Sequence, residues 1–103
     1  MKWEDLLKRD DVIGGDLETH EDGVTYRSRI KEVKIKGDCI YFIPQWVARQ
    51  YASGNWEKWR NNICFVNIKE VTPRERRDGC IVFDLPYLGD AIIFPKGKNK
   101  SIR

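Results

Sequence analysis

The chain has 103 residues, enough for one domain and one core, and its 41% hydrophobic content with four each of Trp, Tyr and Phe disfavours disorder of the chain as a whole. A formal net charge of +3 and a pI near 8.8 fall short of the pI above about 9 of a dedicated nucleic-acid-binding domain. No apolar run nears the roughly 18 residues of a membrane span, and the opening MKWEDLLKRDD lacks a secretory leader's apolar stretch. No membrane association and a cytoplasmic location are therefore expected.

Trp3, Leu6 and Leu7 recur at i, i+3 and i+4, which predicts a short helix over residues 2–9 with one apolar stripe. So short a helix does not persist alone in water, and it must dock as a lid on a sheet. Gly14-Gly15 then breaks the chain. The run DLETHEDGVTYRSR forms a hairpin on the two-residue turn Asp22-Gly23, which sets Thr19 opposite Tyr26, Glu18 opposite Arg27 and Asp16 opposite Arg29. Two of these pairs are of opposite charge. They account for part of a segregation in which residues 1–23 hold three basic and eight acidic groups, a net of −5, leaving +8 for the rest.

Ile30 to Ile43, IKEVKIKGDCIYFI, is a second hairpin, turning at Gly37-Asp38. Ile35 faces Ile40 and Val33 faces Phe42 on an apolar side, while Lys34 opposite Tyr41 and Lys36 opposite Cys39 share the wet side. Pro44 cannot donate to a ladder and so marks a bulge or an edge. The segment QWVARQYASGNWEKWRNNICFV is expected to form a longer hairpin around Ser53-Gly54-Asn55. Trp56 and Trp59 have opposite parity there, so either the strand bulges between them or one indole is exposed. A strand is expected to run on to Val71. Past the charged loop TPRERRDG, the runs GCIVFDL and AIIFP, joined by a turn from Pro86 to Asp90, are apolar on both parities. That predicts cover on both faces, one of them by the N-terminal helix.

Together these elements predict a mainly β domain over residues 1–95. It is a small antiparallel six-stranded meander that forms an SH3-like or split barrel with a short N-terminal helix, a two-sheet sandwich being the alternative. The resemblance to SH3-like barrels is one of pattern only. Residues 96–103 carry Lys96, Lys98, Lys100 and Arg103 with no acid, and are expected to be a basic, disordered tail.

Catalytic chemistry finds little support. Cys39, Cys64 and Cys80 are odd in number, widely spaced and each within an apolar run, as expected of buried reduced thiols. None has the short C-x2-4-C spacing of a zinc site. The sole histidine, His20, adjoins the Asp22-Gly23 turn among acids and is expected to be solvated. Nucleophile-elbow, phosphate-loop, HExxH and EF-hand spacings do not occur. Asp84, within CIVFDLP, is either a partly buried carboxyl or a strand-end cap of the Pro86 turn. The chain is expected not to be an enzyme and to take no cofactor or metal.

Binding is the more natural use of such a scaffold. Tyr51, Trp56, Trp59 and Tyr87 lie in or beside turns, where aromatic rings escape full burial and offer flat contact surfaces. They define the expected function: a non-enzymatic interaction module, monomeric or homodimeric, that binds a protein or peptide through an exposed aromatic face. The alternative is a nucleic-acid-binding barrel using Arg49, Arg60, Arg74, Arg76 and Arg77 with the basic tail. Glu75 and Asp78 interrupt that basic loop.

Overall fold

In the computed structural model, which describes residues 1–60, 63–86 and 89–98, both glycine turns pair their strands in the expected register. Strand β1 (Asp16–Glu21) lies antiparallel to β2 (Val24–Lys36), with Asp16 opposite Arg29, Glu18 opposite Arg27 and Thr19 opposite Tyr26. Asp22 (φ 50°) and Gly23 (φ 77°) both take the left-handed conformation that a tight two-residue hairpin turn needs. Strand β2 continues through the Gly37 turn into β3 (Cys39–Tyr51), with Val33 opposite Phe42 and Ile35 opposite Ile40.

Pro44 sits at the break in this ladder. Glu32 pairs with Ile43, Ile30 with Pro44 and Arg29 with Trp46, so Lys31 is an extra residue in β2 and Gln45 an extra residue in β3. The two insertions cancel in register but reverse side-chain parity in both strands. The buried residues of β3 are Ile40, Phe42 and Pro44 before the break and Val47, with its neighbour Ala48, after it.

The edge of β3 away from β2 serves two further strands. β4 (Glu57–Trp59) pairs with Val47–Arg49, after a turn in which Gly54 N donates to Tyr51 O at 3.0 Å. β5 (Cys64–Asn67) pairs with residues 39–42, setting Cys64 opposite Phe42 and Val66 opposite Ile40. The strand expected to reach Val71 ends at Asn67, whose Oδ1 accepts from Lys69 N (2.9 Å) and whose carbonyl accepts from Glu70 N and Val71 N, an Asn-driven turn. The charged loop yields a two-residue β6 (Arg74–Glu75), paired with β7 (Ile81–Leu85), which pairs in turn with β8 (Gly89–Phe94). β8 closes onto β1. The sheet order is β4-β3-β2-β1-β8-β7-β6, with β5 also on β3. Eight strands among the described residues thus replace the six expected, and no ladder joins β4 or β5 to β6 to close the sheet.

The sheet nevertheless curls onto itself. Phe42 on β3 stacks on Phe83 of β7 at 6.1 Å between ring centroids, although these strands share no ladder. The helix α1 (Trp3–Leu7) covers this core as expected, burying Trp3 and Leu6. The Trp3 ring meets Phe83 edge-on at 5.1 Å, and its Nε1 donates to Val71 O at 2.6 Å. Leu6, Ile30, Ile40, Ile81, Phe83 and Ile93 are fully buried, each worth about 1.5–3 kcal/mol relative to exposure. Gly15 lets the 12–15 segment press on β8, since a Cβ there would lie 2.5 Å from Phe94 O. The start of the basic tail is tied to this body, with Lys96 N donating to Asp11 O (2.7 Å) and the Lys98 ammonium to the Asp78 carbonyl. The Cα radius of gyration, 13.0 Å, is that of a single domain of this length. Among the described residues, no helix is long and apolar enough to cross a membrane.

Candidate partner-binding cleft

The two faces of the curled sheet both set arginines over aromatic rings, to different ends. On the convex face Asp16, with no exposed surface, receives the Nε–H of Arg29 at 2.5 Å and lies 3.3 Å from Nε of Arg27, which is 4% exposed. The guanidinium of Arg27 stacks on Phe94 (4.3 Å to the centroid) and that of Arg29 on Trp46 (5.4 Å). Glu18, set opposite Arg27 by the register, lies instead 3.8 Å from His20. The cross-strand pairing expected of Asp16 and Arg29 is present, whereas Arg27 turns to Asp16. This face is closed upon itself.

The concave face is open. Register places Leu17, Ser28, Val47 and Trp59 in one cross-strand row, and Thr19, Tyr26, Arg49 and Glu57 in the next. The Arg49 guanidinium lies 3.3 Å from the centroid of Trp59 and 5.1 Å from that of Tyr51, and its Nε–H donates to Glu57 at 2.5 Å. Arg60 also approaches Trp59, at 5.5 Å from its centroid. Of this cluster Trp59 and Arg60 border a cavity of about 600 Å³, within the roughly 300–1,000 Å³ of ligand clefts, whereas Arg49 and Tyr51 are not part of its lining. Leu17, Thr19 and Glu21 of β1 and Tyr26 and Ser28 of β2 line one wall, Leu85 and Pro86 its end, and the whole of β5 with Ile63 the other wall. Cys64, on that wall, is desolvated, which pushes its thiol up to about 11, so it is a neutral packing group rather than a nucleophile. Burial likewise raises Cys80, and all three cysteines are free.

Of the aromatic residues expected to bind a partner, Tyr51 and Trp59 come together around Arg49. Trp56 precedes β4 and is half-buried, so its parity does not conflict with that of Trp59. Tyr87 lies outside the described residues. Of the arginines in the nucleic-acid reading, Arg49 and Arg60 flank Trp59. Arg74 is on β6, at the opposite end of the sheet order from β4, and Arg76 and Arg77 follow it, Arg76 being paired with Asp78 at 2.8 Å. Asp84 is exposed and directly opposite Asp90 on β8, a like-charge pair in which a hydrogen bond from a shared proton and mutual repulsion raise the Asp90 pKa. Among the described residues, no three His, Cys, Asp or Glu side chains converge to hold a metal ion. The wall that sequence reasoning missed is β5. Its signal was the uncharged run ICFVNI, read above only as a continuing strand. No protein-family model, curated protein or solved structure matches this chain.

Proposed function

We propose that this chain is a non-enzymatic interaction module that binds a protein or peptide partner in the cleft bordered by Trp59 and Arg60. One observation carries the reading: Trp59, held by Arg49, borders a cavity of about 600 Å³ whose wall combines apolar side chains of β1, β3 and β5 with charged groups such as Arg60 and Glu70. The curl that stacks Phe42 on Phe83 across the core supports treating the fold as a split, SH3-like barrel whose unclosed side is this cleft. Three free thiols support a cytoplasmic setting, where they stay reduced. The test is a pull-down from native cell extract with and without nuclease. A protein partner that survives nuclease and is lost on Trp59→Ala, with the variant still folded, is the expected result. Loss of the fold would make Trp59 a core residue and defeat the reading.

Nucleic-acid binding is the second reading, favoured by Arg60, which flanks Trp59 and has no carboxylate partner among the described residues. Against it, Arg49 is already paired with Glu57, and Arg74, Arg76 and Arg77 lie elsewhere. Labelled single-stranded RNA, titrated at two salt concentrations, is expected not to bind. Steeply salt-dependent binding would promote this reading.

A further inference from the structure

We infer that the cleft takes an extended peptide as an added, antiparallel β-strand along the free edge of β5, with a basic residue at the peptide's N-terminal end and an acidic residue at its C-terminal end. This rests on the cleft being the partner site, and it specifies the partner's chemistry.

The outer strands argue for β5. A bare strand edge templates pairing with another chain, and folded proteins blunt such edges with charge. The half of β2 that projects beyond β1 carries Lys31, Glu32, Lys34 and Lys36, so its exposed Ile35 is flanked by lysines. β4 carries Glu57 and Lys58, and β6 is Arg74 and Glu75. β5 has no charged residue, nor has the stretch from Ile63 to Ile68, yet Ile63 is 55% and Phe65 60% exposed. Its only ladder among the described residues is with β3. Consecutive residues of both parities, from Ile63 to Asn67, line the cavity, so the main-chain edge of β5 faces it. An unguarded edge beside a cavity of about 600 Å³, large enough for several side chains, is the geometry of strand addition: main-chain hydrogen bonds give affinity, and alternate side chains fill the pocket.

Direction follows from the ends. Every ladder in the sheet is antiparallel. Arg60 lies on the cavity wall before β5 and Glu70 after it, and neither has an ion-pair partner among the described residues. An antiparallel strand therefore begins beside Glu70, favouring a cation, and ends beside Arg60, favouring an anion.

The test uses fluorescence anisotropy with the full chain and labelled acetyl-Lys-Thr-Val-Thr-Val-Thr-Glu-amide. Saturable binding is expected, and exchanging the two charged ends should weaken it by about fivefold, the upper range of an exposed ion pair. N-methylating either the valines or the threonines, whichever set faces β5, should abolish it. Phe65→Lys, which places a guard on an exposed position, should abolish it too, and Arg60→Glu should remove the preference for the terminal acid. No binding up to millimolar peptide, or binding indifferent to N-methylation and to Phe65→Lys, would overturn strand addition. So would self-association of the free chain that Phe65→Lys blocks, since the occupant would then be a second copy. If the extract partner is lost on Trp59→Ala but retained by Phe65→Lys, the module stands and strand addition alone falls.

Discussion

The convex and concave faces use the same side chains and arrive at opposite states. On the convex face the carboxylate that holds the arginines is fully buried, and the rings they stack on, Trp46 and Phe94, are half-buried. On the concave face Glu57 is half exposed and the ring it indirectly orders, Trp59, borders empty volume. An arginine stacked on an aromatic ring is thus no signature of a site. What distinguishes the two is whether the carboxylate itself is withdrawn from water, as Asp16 is, or left at a rim, as Glu57 is.

That contrast breaks most sharply at Asp16. Asp16→Ala leaves the buried guanidinium of Arg27 without its carboxylate and should cost about 3–5 kcal/mol, measured by urea or thermal unfolding, with a far smaller cost expected of Glu57→Ala. The tryptophans sharpen it next. Trp3→Ala, which removes a ring packed on Phe83, should cost about 3–5 kcal/mol of stability. Trp59→Ala should leave the fold intact and weaken the partner by about 2 kcal/mol or more, roughly thirtyfold. On the guarded edge, Lys34→Val with Lys36→Val should produce concentration-dependent association in sedimentation beyond any that the parent chain gives.

The smallest effect is electrostatic. The Asp90 carboxyl titrates above its ordinary value of 3.8 because Asp84 hydrogen-bonds to it and repels its charge. The folded chain therefore holds this proton more tightly than the unfolded chain. Its contribution is complete below pH about 3.8 and is lost as pH rises through the raised value. Asp84→Asn should accordingly be more stable than the parent at neutral pH, with the gain vanishing in acid-side unfolding curves.

The hairpins were legible because two short glycine-containing turns fix register, and period-two alternation fixes which face is buried. The helix was legible from Trp3, Leu6 and Leu7. The parity reversal at Pro44 was legible only as a break: proline marks where a ladder fails, and not that Lys31 and Gln45 both bulge and restore the register. The number of strands was not legible. Whether β4 and β5 share one partner, and whether β6 pairs at all, depends on non-local ladders that no local pattern encodes. Of the site, single aromatics were visible but their grouping was not, since Arg49 meets Trp59 only once β3 and β4 pair. The β5 edge was hidden because apolar residues in a strand ordinarily mean core.

Amide hydrogen exchange along the two contrasted edges tests the account most directly. With the lysine-first peptide at saturation, residues 63–67 should gain protection while residues 31–36 exchange as in the free chain. Protection gained along 31–36 instead, or no change along 63–67 with the peptide bound, would contradict it.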